Sequence, residues 1–337
     1  MRSFHLEKFG DFDGLVMRTH DEPRPARREV LVRVHASSLN FRDIAIVRRF
    51  YGGRPPEPGI VPLSDGAGEI VALGEEVRGW SVGDRVAGLF RQNWQGGRMP
   101  LRALEADLGG ARDGMLTDFI ALNEEGVVKL PAHLSYQEGA TLPCAALTAW
   151  HALHAGEPLM PGETVLVLGS GGVSVFALQF ARLIGARVIA TSSREDKLAR
   201  LKSLGADDVV NYTARPEWDQ EVLRLTEGRG VDRVIEIGGS GTLARSLRAT
   251  AIGGRVIVIG VLAGEAQIDP SPILGRRLIV QAISTGSREM FEQMNRAIAR
   301  AQLRPVIDKV FPFEQAREAY RYLAGAGHVG KVVIEHA

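Results

Sequence analysis

Three side chains able to bind a metal or to act as nucleophile and base stand close together in "TLPCAALTAWHALHAG": Cys144, the chain's single cysteine, then His151 and His154. Imidazoles three positions apart on a helix can share an ion. Seven residues, however, set Cys144 about 10 Å from His151 along a helix axis, too far for one ion to bridge. A nucleophilic thiolate needs a neighbouring base or a helix start to lower its pKa, and nothing adjacent supplies one. The expectation is a helix with a packed thiol, two partly exposed imidazoles and no metal.

A second group works through backbone. Gly169, Gly171 and Gly172 directly follow the strand-like run "TVLVLG" and precede a helix opening near Val173. Glycines there let amide N–H groups approach a pyrophosphate, whose charge the helix dipole favours. Ser174 takes the place of the usual third glycine. A later cluster, Gly238 to Gly241, also follows a strand and is expected to face the same crevice, because ligands sit at the carboxyl ends of parallel strands. The identity of the dinucleotide should be written after the next strand, in "ARVIATSSREDK". An NAD site usually carries an acid there for the ribose 2′-hydroxyl. This chain has Ser192, Ser193 and Arg194, with Lys197 one turn later. Hydroxyls and cations suit a 2′-phosphate, so NADPH is expected over NADH. Glu195 stands in capping-box spacing from Ser192, which assigns its carboxylate to the helix end.

The third group lies in "SLNFRDIAIVRRFY". Asn40 can donate an amide N–H to a developing oxyanion. Asp43 is expected to pair with a neighbouring cation, Arg42 or Arg48.

The elements that must position these groups follow from pattern. Up to about Pro131 the chain reads as short alternating strands broken by Gly and Pro ("VLVRVHASSLN", "GAGEIVALGEEV", "GWSVGDRVAGLF"), an antiparallel, barrel-like texture. From "ETVLVLGSGG" onward apolar strands alternate with amphipathic helices, which means a parallel sheet covered by helices. Arg91 to Gly114 looks like a long surface excursion. A helix follows Gly286, and a last strand, Lys331 to Glu335, returns to the first domain. With 337 residues, 24% charged and 45% apolar, two domains are expected. Lys and Arg number 41 against 40 for Asp and Glu, with the signs interspersed, so nucleic acid and anionic membrane are poor partners. One cysteine forms no internal disulfide, and charges occupy the opening where a signal peptide needs an apolar core. A cytoplasmic protein is expected.

Together "SLNFRD", "PLSDGAGEIVALGEEVRGWSVGDRV", "TLPCAALTAWHAL", "VLVLGSGGVS" and "GHVGKVVI" resemble the medium-chain dehydrogenase/reductase superfamily, in its zinc-free quinone-oxidoreductase and alcohol-dehydrogenase-like branches. The resemblance covers essentially the whole chain. It implies a GroES-like β-barrel substrate domain (1–130), a Rossmann doubly wound parallel-sheet NADP domain (131–286), a C-terminal return (287–337), a cleft between domains and a homodimer built on the Rossmann domains. It also implies that Lys197 and Tyr212, fifteen residues apart, grip the 2′-phosphate. Thr148, Gly260, Val261 and Leu262 would stand near the nicotinamide, and Tyr51 would match the proton-donating tyrosine of enoyl reductases. Where zinc relatives place Cys, His and Cys, this chain has Asn40, Ser64 and Cys144, and the excursion lacks the cysteines of a structural zinc lobe; both zincs are expected absent. The acid after the second of these positions, Asp65, is read as structural. Arg42 replaces the hydroxyl of the alcohol-dehydrogenase proton relay. The function expected is NADPH-dependent, zinc-independent hydride transfer to a small quinone or α,β-unsaturated carbonyl. The alternatives are a zinc-free NADP-dependent alcohol or carbonyl dehydrogenase, and a non-catalytic NADPH-binding protein.

Overall fold

The computed structural model describes residues 1–51, 56–260 and 267–336. They form two compact units, Met1–Leu147 with Thr285–Ala337, and Thr148–Ser284.

The first unit is organised by one long strand, Glu29–Leu39, at the centre of a seven-stranded sheet. Asp65–Leu73 runs antiparallel along one side. The other side is shared, Phe119–Asn123 pairing with Glu29 to Arg33 and the return strand Lys331–Glu335 with Ala36 to Leu39. Arg85–Gly88 and Val127–Lys129 extend the sheet beyond Asp65–Leu73, and Ile307–Pro312 lies parallel to the return strand. Alternation puts Val30, Val32 and Val34 inward against Ile70, Val86, Leu108 and Met115. A second core, with Leu39, Ile44, Val47, Phe313, Tyr320 and Val332, lies under the helices Phe41–Val47 and Ala316–Ala324. Burying each large side chain contributes about 1.5–3 kcal/mol; that burial holds the seven-residue helix Phe41–Val47, too short to be stable alone.

Two expectations are corrected here. Arg91 to Gly114 is not a free surface excursion: Trp94, Ala103, Ala106 and Leu108 are buried, and bridges join Arg91 to Asp107 and Leu108 to Arg112. Its few apolar residues are scattered without period, and one of them, Leu108, joins the barrel core. The unit boundary falls after Leu147 rather than near Pro131. The helix Tyr136–Gly139 and the π-helical turn Leu142–Ala146 pack on the strands Glu29–Leu39, Asp65–Leu73 and Arg85–Gly88, which keeps them in the first unit.

The second unit is a six-stranded sheet, parallel throughout, in the order Asp208–Asn211, Arg187–Ser192, Thr164–Leu168, Val231–Glu236, Thr250–Val258, Ile279–Ala282. The first strand in sequence is central, and the chain winds outward from it in both directions. The switch point lies between Thr164–Leu168 and Val231–Glu236, where doubly wound sheets bind ligands. All five residues of Thr164–Leu168 are buried, as a strand covered on both faces requires. The helix Gly172–Ile184 that follows stops at Gly185, whose φ of 94° suits glycine at a helix end. No helix among the described residues is long and apolar enough to cross a membrane.

The backbone of two barrel strands approaches closely at Gly68, where a Cβ would stand 1.9 Å from the carbonyl oxygen of Arg33. Gly68→Ala is expected to cost about 1–3 kcal/mol or more of stability, read as a lower Tm; an unchanged Tm would show that the two strands can part without loss.

Candidate functional site

In the first unit the site grows from the junction where Glu29–Leu39 ends and the helix Phe41–Val47 begins. Asn40 is the residue before the helix, with extended backbone (φ −131°, ψ 162°). Its backbone N–H donates to Asp43 Oδ2 at 2.7 Å, satisfying a group the helix cannot. Its side-chain oxygen is taken from the far end of the sequence. Lys331, the first residue of the return strand and 2% exposed, donates from Nζ to Asn40 Oδ1 at 2.6 Å and to the Leu39 carbonyl at 2.7 Å. The same ammonium stands 3.5 Å from Asp65 Oδ2. Asp65, fully buried, also accepts from the Ser64 hydroxyl at 2.8 Å, and the Ser38 hydroxyl lies 3.3 Å from it.

An ammonium only donates, so the atom of Asn40 facing Lys331 must be oxygen. The amide is thereby oriented, and Asn40 Nδ2 is left buried without a hydrogen-bond partner. Leaving such a donor unpaired costs about 1–3 kcal/mol. Arg42 Nε and Asp43 Oδ1 are likewise buried without a hydrogen bond.

Arg42 and Asp43 lie on the buried side of the helix. Arg42 is bound to Asp107 Oδ2 at 2.5 Å and to the Leu108 carbonyl at 3.0 Å, its guanidinium 4.7 Å from the Phe90 ring centre and 5.2 Å from that of Tyr51. Burial opposes its charge, but Tyr51, Asp43 and Asp107 hold its pKa above the ordinary value. Arg42 is therefore the tie between this helix and the Arg91 to Gly114 segment. The pairing expected for Asp43 is with Arg42, at 3.7 Å. Burial raises the Asp43 pKa to about 6, against the pull of Arg42 and the Asn40 N–H. Tyr51 is 43% exposed, with its ring on Arg42.

Cys144 sits in the π-helical turn Leu142–Ala146 rather than in a regular helix, and is partly buried. Burial pushes its thiol well above the usual range, with Asp65 adding to the shift and Lys331 and Arg42 opposing it. Asn40, Ser64 and Cys144 do not fit a catalytic zinc. The oxygen of Asn40 is bound to a cation, the hydroxyl of Ser64 is bound to Asp65, and the remaining thiol resists ionisation. Among the described residues no group of three His, Cys, Asp or Glu side chains converges as for a metal. The imidazoles face backbone carbonyls, His151 Nδ1 at 3.0 Å from Ser284 and His154 Nδ1 at 2.8 Å from Trp150.

The second unit carries the glycine turn. Gly169 has φ 74°, a left-handed conformation that favours glycine. Gly171 precedes the helix with no side chain capping it, and a Cβ placed there would meet nothing within 4 Å. That is an open cradle beside the amide groups of Gly172 and Val173. Ser174, fully buried, donates to the Leu168 carbonyl at 2.6 Å, so its hydroxyl ties helix to strand where a glycine would only pack close. On the neighbouring strand Val231–Glu236, the fully buried Glu236 accepts from the Gly238 N–H at 2.8 Å, the Gly239 N–H at 3.0 Å, Thr242 Oγ1 at 2.5 Å and the Ser246 hydroxyl. It braces the second glycine turn. A Cβ at Gly260 would stand 2.2 Å from the Ile237 carbonyl, which leaves room only for glycine. Val261 and Leu262 lie outside the described residues.

Thr191 and Ser192 are buried, Ser193 is partly so, and Arg194 is exposed and paired with Asp196 at 2.6 Å. Lys197 is buried in the first turn of Glu195–Ser203. Tyr212 follows the adjacent strand and donates its backbone N–H to the Ser192 carbonyl at 3.1 Å. The expected capping box is not formed. The residue before this helix is Arg194, not Ser192, and Glu195 instead binds the side chain of Asn211. Thr148 is buried in the helix Leu147–His154.

Sequence reasoning missed Lys331, Glu236 and Asp107 as parts of these sites. Lys331 alone left a trace, a cation opening a strand whose next three residues are apolar and buried.

With its folded pKa raised from 3.8 to about 6, Asp43 holds its proton more tightly in the native state. The stability this gives is complete below the unfolded pKa and is lost as pH rises from about 4 to 6. Asp43→Asn is expected to remove that part of the pH slope in Tm; an identical slope in both proteins would show that Asp43 titrates normally.

Comparison with known proteins recognises two parts of the chain. Residues 26–132 match the alcohol dehydrogenase GroES-like domain and residues 172–300 match the zinc-binding dehydrogenase family. A zinc-type alcohol dehydrogenase-like protein of Schizosaccharomyces pombe is 41% identical, over 98% of this chain and 97% of its own. The quinone oxidoreductase of Homo sapiens is 29% identical, over 99% and 97%. The crystal structure of an NAD-dependent alcohol dehydrogenase superposes with a TM-score of 0.90 at 35% identity, covering 99% of each chain. With a GroES-like unit joined by its return strand, a doubly wound parallel sheet and these relatives along its whole length, the chain belongs to the medium-chain dehydrogenase/reductase superfamily of oxidoreductases.

Proposed function

We propose that this oxidoreductase is an NADPH-dependent, zinc-independent reductase of quinones or α,β-unsaturated carbonyl compounds. The observation that carries the reading is the orientation of Asn40: with Oδ1 held by Lys331, an unpaired amide N–H is the one thing this side chain can offer. A donor without a metal suits a conjugated acceptor, in which hydride adds at carbon and charge spreads to a distant oxygen. An unactivated carbonyl needs the several kcal/mol that a Lewis acid gives, and the donor set around Cys144 does not suit one.

NADPH, when bound, supplies the hydride. Gly169, Gly171, Gly172 and Val173 would receive the pyrophosphate on open amides, and Gly238 and Gly260 would keep the neighbouring turns close. Ser192, Ser193, Arg194, Lys197 and Tyr212 would hold the 2′-phosphate, with no carboxylate at the end of Arg187–Ser192 to repel it. Thr148 would serve the nicotinamide end. In the first unit Asn40 donates to the developing enolate or phenolate oxygen, Tyr51 delivers a proton, and Arg42 holds the Tyr51 ring. Asp43, through the Asn40 backbone, fixes where the helix begins. The exposed edge strand Ile279–Ala282, with Ile279 40% and Val280 39% exposed, supports a homodimer through the second unit. A single cysteine, reduced and unpaired, suits the cytoplasm.

The names of the Schizosaccharomyces pombe relative and of the NAD-dependent structure favour a second reading, an alcohol or carbonyl dehydrogenase, taken as zinc-free only because the donor set around Cys144 does not suit a metal. Rates with enones and quinones plus NADPH, set against simple alcohols plus NADP, separate the two; turnover of alcohols alone would overturn the reductase. Asn40→Asp is expected to keep Tm, because the carboxylate still accepts from Lys331, and to lower kcat by about 10²-fold, the usual loss for one oxyanion donor. Full activity in that variant would remove Asn40 from the chemistry. Lys197→Met is expected to raise KM for NADPH at least about tenfold and to leave KM for NADH unchanged; equal effects on both cofactors would sink the 2′-phosphate assignment.

A further inference from the structure

We infer that Lys331 is a positioning residue: its ammonium selects the orientation of the Asn40 amide and so decides whether the site presents a donor or an acceptor to the substrate oxygen. This rests on the reductase reading above. A carboxamide has two faces of similar shape and opposite hydrogen-bonding sense, and without a constraint it can turn its oxygen either way. Here three acceptors surround one buried ammonium: the Leu39 carbonyl at 2.7 Å, Asn40 Oδ1 at 2.6 Å and Asp65 Oδ2 at 3.5 Å. Its three protons match the three acceptors. If the amide turned over, two sets of N–H protons would face each other in the interior, a like-polarity contact with neither group able to reach water.

The backbone fixes this geometry from both ends. The return strand pairs antiparallel with Glu29–Leu39, Val332 opposite Leu39, and the next step of that register sets Lys331 opposite Asn40. Asp65 opens the strand on the other side of Glu29–Leu39, paired with Ser38. Its carboxylate is held by Ser64 and balances the buried charge of Lys331. Ammonium and carboxylate thus stand on flanking strands, with Asn40 held where the strand between them ends. Lys331 acts through Asn40 and touches no reacting atom.

A double-mutant cycle in kcat tests this, with NADPH and p-benzoquinone or methyl vinyl ketone as the acceptor. Asn40→Ala and Lys331→Met are each expected to lower kcat by about 10²-fold while KM for NADPH stays within about twofold, and the double variant is expected to be no slower than Asn40→Ala alone. Lys331→Arg, which keeps a cationic donor, is expected to recover part of the rate. Thermal unfolding of the same four proteins gives a readout that does not depend on turnover: the two changes should be non-additive in Tm as well. Losses in kcat that multiply in the double variant, or an Lys331→Met enzyme with wild-type kcat, would overturn the positioning role while leaving Asn40 in place. A wild-type kcat for Asn40→Ala, or no turnover of either acceptor by the parent protein, would overturn the reductase reading and this inference with it. If Lys331→Met leaves Asp65 uncompensated and does not fold, the cycle is run on Lys331→Met/Asp65→Asn against Asp65→Asn, with the same outcomes deciding.

Discussion

A buried ammonium must find acceptors for its protons or pull its strand toward water, and the first unit is arranged around meeting that demand for Lys331. The carbonyl at the end of Glu29–Leu39, the amide of Asn40 and the carboxylate of Asp65 come from three different elements and meet at one nitrogen. The contact joins the return strand to the centre of the sheet, sets the start of the helix Phe41–Val47 and gives Asp65 its counter-charge. Replacing such a pair by apolar residues is often neutral for stability, so its value here lies in what it makes specific.

The two units handle polarity in opposite ways. In the first, side chains do the work and several buried polar atoms make no hydrogen bond: Asn40 Nδ2, Arg42 Nε and Asp43 Oδ1 all lie within one helical turn. In the second, backbone amides at the carboxyl ends of parallel strands form the cradle, and side chains hold the turns rigid. Glu236 shows the contrast: buried as deeply as Asp65, it is held by two amides and two hydroxyls. A cradle for a charged ligand benefits from fixed dipoles, which cost nothing to reorganise. A site for a substrate that gains charge during reaction benefits from donors whose partner arrives with it.

Much of this was legible in the chain because it depends on short range. Strand alternation in "VLVRVHASSLN" and the strand, glycine, helix succession around Gly169 are local patterns, and they placed both units, the turn and the run that holds Asn40 and Asp43. What escaped was non-local. Lys331 and Asn40 are 291 positions apart, so no window contains both. Glu195 has ideal spacing for a capping box with Ser192, yet Asn211 on the next strand captures it. Trp94 and Leu108 lie in a polar, glycine-rich stretch without periodicity, and their burial comes from tertiary packing, for Leu108 against the barrel core, that no local pattern announces. The boundary at Leu147 was missed because a π-helical turn has no sequence signature of its own and its neighbours decide where it packs.

The length of the loop closed by Lys331 also sets an order of events during synthesis. At about 5–20 residues per second, roughly 15–60 s separate the emergence of Asn40 from that of Lys331. Throughout that interval the nascent first unit has its sheet open along one edge, Asp65 without a cation and the Asn40 amide free to turn. The second unit, whose strands run from Thr164 to Ala282, can complete its sheet within the same interval. A ribosome-bound chain would accordingly complete its parallel sheet before Asn40 and Lys331 can meet, and the orientation of that amide would have to wait for the return strand.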